Sequence, residues 1–513
     1  MRIDRSSVRY GAALLAFVNI CIQLLGFVYR IALSRLIGAE GMGLFQLIFP
    51  FYGIVISVTL SGVTMAVSRL TSEYSALGKT GSLRRLMRLA VAMFAAVLTV
   101  MSILVFVFSR ELASGFLGDA RVRPALCMLM PCLLFAGLGS IHKNFFYGLH
   151  DVTPPAAAEL FESLLRLITV PGLLFLILPQ PFDITLAAIV FGMLLCEIMS
   201  FAFIRAAYSR VSPKSIPRGG ASGDGLIRKI ASIAIPVSAT SLAAGILSSL
   251  NVIIIPKRLA LAGYVYPQAL SLFGVLFGMS IPLLTLPSAV ISALSVVLVP
   301  KLAESSVLKN EKTMHSRISR SIVLTSVCTL PAIAAVAPIG AALGKLLYNQ
   351  PIAGENMPLL AVFIALSNYQ GIFSSILNGV GRQKTAAAIT IADSMLHFIM
   401  TWALTALPRF GISGYIIGGA ASTAFGVVLC LYFIKKYTGV RIDVFSWFAA
   451  PLLSALLGGL CSRLFYLSAM LLPLPVRVLF AGIGGGFISY FVIFLLDVDR
   501  QILAGGTAGP HRF

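Results

Sequence analysis

Apolar runs, most approaching the ~20 residues a helix needs to cross a bilayer, follow one another along the whole chain and leave few folds open. In hydrocarbon every backbone N–H and C=O must find its partner inside the protein, so only helices and closed barrels can span. A barrel alternates apolar and polar residues along each strand and never carries long continuous runs. The runs therefore predict an all-α polytopic membrane protein of about fourteen transmembrane helices. Composition supports this: 58% of the 513 residues are hydrophobic and 11% are charged, against about 25% charged in soluble proteins.

Lysine and arginine set the expected topology. With the N-terminus in the cytoplasm, 27 of the 39 basic residues, Lys143 counted among them, fall on the cytoplasmic side and 11 on the outer side. Both termini are then expected in the cytoplasm of a cell (plasma) membrane protein. Arg2, Arg5 and Arg9 precede a first run that is too long for a signal-peptide core and has no clear cleavage site, so it reads as a retained helix. The net charge of +21 is explained by the loops, and no nucleic-acid partner is expected. The seven cysteines are scattered with no CxxC pair, so neither a metal nor a cofactor is expected. No HExxH, GxSxG or phosphate-loop motif appears, which argues against an enzyme.

The longest polar linker, SRVSPKSIPRGGASGDG from Ser209, is rich in Pro, Gly and Ser and follows the sixth span. It predicts an N-terminal six-helix lobe over 1–208, a cytoplasmic linker over 209–226, a second six-helix lobe over 227–440, and two extra helices with a tail over 441–513. A repeat supports the division. FYGLHDVTPPAAAELFESLLRLI from Phe146 aligns without a gap with LNGVGRQKTAAAITIADSMLHFI from Leu377, at an offset of 231. Gly148 meets Gly379, Glu162 meets Asp393 and Arg166 meets His397. The exit of the second span, SRLTSE from Ser68, is similar to PKLAES from Pro300.

Polar residues inside the spans are the candidate site. On the first helix Asn19, Gln23, Gly26, Arg30 and Ser34 share one face at spacings of three and four. An arginine at a bilayer centre costs ~2.5 kcal/mol or more, so it should face protein or a wet cavity. Arg30 is therefore a candidate cavity residue, with Gln23 and Asn19 beside it; the alternative is an arginine that anchors the helix at the outer interface. On the fifth helix Glu162 and Arg166 stand at i,i+4 and can pair. Asp393 and His397 repeat that spacing, and Glu197 in the sixth span is an isolated acid. These groups are open to two readings, substrate or proton handling, or ion pairs that lock helices together. Ser238, Ser241, Gly245 and Ser248 form a small-residue face, and GIGGG from Gly482 another, both read as helix packing.

Three stretches carry a family resemblance: LLGFVYRIALSRLIGAEGMGLFQL in the first two spans, VTMAVSRLTSEY leaving the second, and LTLPSAVISALSVVLVPKLAES in the eighth. They resemble the stage V sporulation protein B branch of the multidrug/oligosaccharidyl-lipid/polysaccharide exporter superfamily, which is related to MurJ-type lipid II flippases. The resemblance implies two six-helix lobes around a central cavity, cationic residues that hold the diphosphate of a lipid-linked sugar, and two extra helices that form a groove for the polyprenyl tail. It implies a lipid-linked oligosaccharide or peptidoglycan precursor as cargo, membrane lipids as surroundings, a monomer as the working unit, and a place in sporulation or cell-wall polysaccharide biosynthesis. The MurJ-type flippases of Gram-negative bacteria carry further cavity arginines at positions matching Gln23, Tyr29, Val55 and Ile56, so their full cationic cluster is not carried over. The expected function is a flippase moving such a precursor from the cytoplasmic to the outer leaflet. The alternatives are a cation-coupled multidrug exporter using Glu162, Glu197 or Asp393, and a non-transporting scaffold for cell-wall or spore assembly.

Overall fold

The computed structural model describes residues 8–78, 80–211, 224–308 and 310–496. Arg2, Arg5, Arg500, Arg512 and most of the linker lie outside the described residues. Every regular element described is helical, and fourteen helices among the described residues are long and apolar enough to cross a membrane. The chain divides into two compact units, Met1–Lys257 and Arg258–Phe513.

In the first unit α1 runs Val8–Thr59 and α2 Ser61–Ala76. The chain continues through α3 Thr80–Val107, α4 Arg123–Gly148, α5 Thr153–Ile177 and α6 Phe182–Val211, and then enters α7, Asp224–Leu261. A helix as long as α1 would extend about 78 Å at 1.5 Å per residue, more than twice the hydrocarbon thickness of about 30 Å. Gly38 divides it, with φ 69° and ψ −173°. That region is open almost only to glycine, because a Cβ there would collide with the backbone. The first span thus ends before Gly38, and the second runs from there through a break at Leu60 to the end of α2. The small-residue face of α7 is partly a packing face, as its composition suggests. Ser238 Oγ accepts a hydrogen bond from Gly62 N at 3.2 Å, and a Cβ on Gly245 would lie 3.0 Å from Ser57 Oγ. Ser248 is exposed.

In the second unit α8 Tyr266–Val275 continues through a short wide turn to Leu284, and α9 Ser288–Val307 follows a break at residues 285–287. The eighth apolar run, which carries LTLPSAVISALSVVLVPKLAES, is thus interrupted. Pro287 provides part of the reason, since it lacks the N–H that would continue the ladder. α10 Glu311–Val336, α11 Met357–Gly379, α12 Gln383–Leu404 and α13 Ser413–Thr438 come next. The unit closes with α14 Ala450–Ser468 and α15 Leu474–Leu495. The last two pack closely through glycine, as the GIGGG motif predicts. A Cβ on Gly484 would lie 2.5 Å from the Phe465 ring, and one on Gly485 2.5 Å from Ser462 Cβ.

The repeat extends well beyond the two matched segments. α2 ends at Ala76 and α9 at Val307; α3 begins at Thr80 and α10 at Glu311; α4 ends at Gly148 and α11 at Gly379; α6 begins at Phe182 and α13 at Ser413. All four pairs keep the offset of 231. Packing keeps it too. A Cβ on Gly148 would fall 2.5 Å from Ser68 O and 2.7 Å from Thr71 Cβ, and one on Gly379 would fall 3.1 Å from Val299 O and 2.8 Å from Leu302 Cβ. Val299 and Leu302 are the 231-residue mates of Ser68 and Thr71. The packing therefore pairs Ser68 with Val299, one residue away from the Pro300 that sequence similarity alone suggests.

Candidate functional site

Charged side chains converge inside the first unit, on α4, α5 and α6. Glu162 and Arg166 stand one helical turn apart on α5, and Arg166 Nη2 donates to Glu162 Oε1 at 2.7 Å. The same nitrogen reaches Glu197 Oε1 of α6 at 3.2 Å. Lys143 Nζ of α4 donates to the other oxygen of Glu162 at 3.1 Å, and Ser200 Oγ, one turn after Glu197, donates to it at 3.1 Å. A turn nearer the start of α5, Glu159 Oε1 accepts from Tyr147 OH of α4 at 3.4 Å. Glu162, Lys143 and Glu197 keep side-chain exposures of 15%, 12% and 11%, so little solvent screens them. Charges this deep are retained only when paired and hydrogen-bonded.

The structure places each expected site residue. Glu162 and Arg166 pair as their spacing predicts. Glu197 is not isolated, because the α5–α6 packing brings it onto the Arg166 guanidinium. Lys143 is no loop cation. It lies on α4 five residues before the helix ends, where it neutralises Glu162, and it leaves the count of topology-setting residues. The signal was available, since Lys143 falls within the apolar run of its own span. Ser200 carries no sequence signal of its own; it joins the site because it stands one turn from Glu197.

Asp393 and His397 do not pair. His397 Nε2 faces Tyr415 O at 3.4 Å, and its ring packs on Tyr415 and Phe363, with centroids 4.8 and 5.6 Å away. The two aromatic rings and the carbonyl hold the imidazole away from the carboxylate one turn earlier. Asp393 Oδ1 is buried without a hydrogen-bond partner. The 231-residue mates of Lys143, Glu197 and Ser200 are Ser374, Val428 and Leu431, so the second unit keeps the acid of α5 and loses the groups that bind it.

On α1 the polar stripe runs from surface to interior. Asn19 and Gln23 are exposed, Arg30 is half-buried, and Ser34 is buried with its hydroxyl on Ile31 O at 2.9 Å. A Cβ on Gly26 would meet nothing within 4 Å. Tyr29, beside Arg30, is buried, its hydroxyl has no hydrogen-bond partner, and both Arg30 and Arg166 lie within electrostatic range of it. α1 packs along α5. Tyr29 thus stands between the stripe and the charged cluster, a residue that periodicity alone does not single out.

Comparison with known proteins completes the site's context. The model of the polysaccharide biosynthesis protein family matches residues 8–306. Stage V sporulation protein B of Bacillus subtilis is 22% identical over 423 residues, which cover 82% of this chain and 81% of that protein. Lipid II flippase MurJ of the same organism is 22% identical over 470 residues, covering 86% and 84%. Among solved structures, lipid II flippase MurJ in an inward closed conformation superposes with a TM-score of 0.69 at 14% identity, over 95% of this chain and all but 1% of that one.

Proposed function

Because the chain belongs to the polysaccharide biosynthesis protein family and has the fold of a multi-pass membrane exporter, we propose that it is a flippase for a polyprenyl-diphosphate-linked glycan or a lipid II-like peptidoglycan precursor. In this reading the precursor moves from the cytoplasmic to the outer leaflet by alternating access. The lobes are 1–208 and 227–440, with 441–513 as the lipid-side addition, both termini lie in the cytoplasm, and the monomer is the working unit.

The observation that carries the reading is a half-buried arginine, Arg30, on a polar face of the first apolar helix, with Tyr29 between it and a second, charge-paired arginine, Arg166. A diphosphate-sugar headgroup cannot cross hydrocarbon unaided, because its charges lose their hydration. A guanidinium in a partly dry setting replaces that hydration with paired donors matched to phosphate oxygens. Arg30 takes the headgroup, Gln23 and Asn19 supply neutral hydrogen bonds beside it, and Arg166 is the secondary contact. His397, half-buried against Tyr415, is a lesser sugar-facing candidate. One observation favours a cation-coupled exporter as the second reading: the α4–α6 cluster holds three carboxylates, Glu159, Glu162 and Glu197, against two cations, Lys143 and Arg166.

The test is leaflet accessibility of labelled lipid-linked precursor in cells that depend on this protein, wild type against Arg30→Ala. Wild type should expose precursor outside and Arg30→Ala should trap it inside. Equal crossing without the protein removes this class of cargo and leaves the exporter and scaffold readings.

A further inference from the structure

The excess carboxylate in the α4–α6 cluster has a structural counterpart. Glu162 and Glu197 each contact the same guanidinium nitrogen, Arg166 Nη2, at 2.7 and 3.2 Å, so two buried carboxyl groups stand side by side on one donor. An ionised carboxylate only accepts hydrogen bonds, so two held side by side attract one another only when one carries a hydrogen. Like charges this close cannot both ionise without a large cost, and such dyads take up their protons as a pair.

We propose that Glu162 and Glu197 share one exchangeable proton and form the protonation site of the first unit. This goes beyond the choice of cargo and holds whichever cargo is carried. Three further observations support it. First, Arg166 and Lys143 already contact three of the four carboxyl oxygens, at 2.7–3.2 Å, which disfavours a metal ion as the charge-balancing species. Second, the fold does not need the cluster. The second unit repeats the same helices and the same glycine contact at Gly379, with serine, valine and leucine in place of Lys143, Glu197 and Ser200. A purely architectural ion-pair network should recur where the architecture recurs. Third, the buried groups beside the dyad are not all satisfied: Arg166 Nε and the hydroxyl of Tyr29, a residue 8% exposed, have no hydrogen-bond partner. These unsatisfied donors are the polar partners that a proton-carrying water beside the pair would need.

The groups facing the dyad are Tyr52 of the second span, Cys132 and Lys143 of α4, Glu159 and Arg166 of α5, and Cys196 of α6, while Tyr29 of the first span faces Arg166. Among them Glu159, bonded to Tyr147, is the other carboxyl that could carry the hydrogen.

Infrared difference spectroscopy on the purified full-length protein in lipid decides between them. The pH is stepped from acid to alkaline, and the carbonyl stretch of a protonated carboxylic acid is followed in wild type, Glu197→Gln, Glu162→Gln and Glu159→Gln. The expected result is one buried-acid band that disappears on alkalinisation, moves on labelling with 13C-glutamate, survives Glu159→Gln, and is lost from its wild-type position in both dyad variants. The labelled wild type needs no substitution, so a variant that misfolds does not spoil the test. No such band in wild type overturns the proposal, as does a band abolished by Glu159→Gln alone. A band displaced when sodium replaces potassium at constant pH assigns the site to a metal cation and overturns it equally.

Discussion

Arg166 is the group on which the first unit's buried charge depends, and its removal tests that directly. Arg166→Met preserves much of the side-chain volume and deletes the guanidinium. Glu162 keeps Lys143 at 3.1 Å, whereas Glu197, whose side chain is 11% exposed, loses the cation 3.2 Å away. Breaking a buried pair by removing one partner costs ~3–5 kcal/mol, and here the dyad, which carries one negative charge with its shared proton, is left with Lys143 on the Glu162 side. The Arg166 side chain is 29% exposed, and partial screening places the expected loss near the low end, about 3 kcal/mol. That is roughly two powers of ten in the unfolding equilibrium. Arg166→Met combined with Glu197→Gln puts a fixed amide donor where the shared proton stood and should recover about 2 kcal/mol, an interaction energy typical of groups in direct contact. Lowering the pH should recover part of the single variant's loss, since protonation neutralises the same charge. The assay is reversible chemical unfolding in detergent micelles, with His397→Met, the repeat mate, as the comparison; it should cost only about 1 kcal/mol, since no ion pair is broken there. A single-variant loss below about 1 kcal/mol, or a double variant whose loss equals the sum of the singles, would refute the reasoning.

Other outcomes follow from the same geometry. Gly148→Ala and Gly379→Ala should each destabilise by about 1–3 kcal/mol, since each Cβ meets backbone or a Cβ of the neighbouring helix within 3.1 Å; Gly26→Ala, with open space around it, should be neutral or stabilise by up to about 1 kcal/mol, checked by thermal unfolding in detergent. Gly38→Ala should cost about 1–3 kcal/mol through its backbone conformation alone, with nothing within 4 Å of the new methyl; an unchanged unfolding midpoint would show that the break lies elsewhere. Lys143→Met should weaken the Glu162 contact and destabilise by about 2 kcal/mol, and Lys143→Arg should recover most of it, measured in the same unfolding assay.

Much of this molecule was legible in its sequence because the bilayer allows few solutions. Apolar runs of spanning length dictate helices, since no other open structure satisfies the backbone in hydrocarbon. The 231-residue repeat and the Glu162–Arg166 pair were likewise readable, as both rest on local spacing along a helix. Two boundaries were not. The first two spans form one helical stretch interrupted at Gly38, and the eighth breaks at residues 285–287, because these features depend on backbone angles that composition does not record.

The tertiary structure alone decided who meets whom. Lys143 reads as one more basic residue of the cytoplasmic side until α4 lays it against α5, and Glu197 reads as isolated until α6 brings it onto Arg166. Asp393 and His397 have the same spacing as Glu162 and Arg166 yet remain apart, because Tyr415 and Phe363 take the imidazole. A sequence specifies which face of a helix a side chain occupies, since that follows from 3.6 residues per turn. It does not state which neighbouring helix lies against that face, and for a buried charge the neighbour determines whether it is paired, shared or expelled.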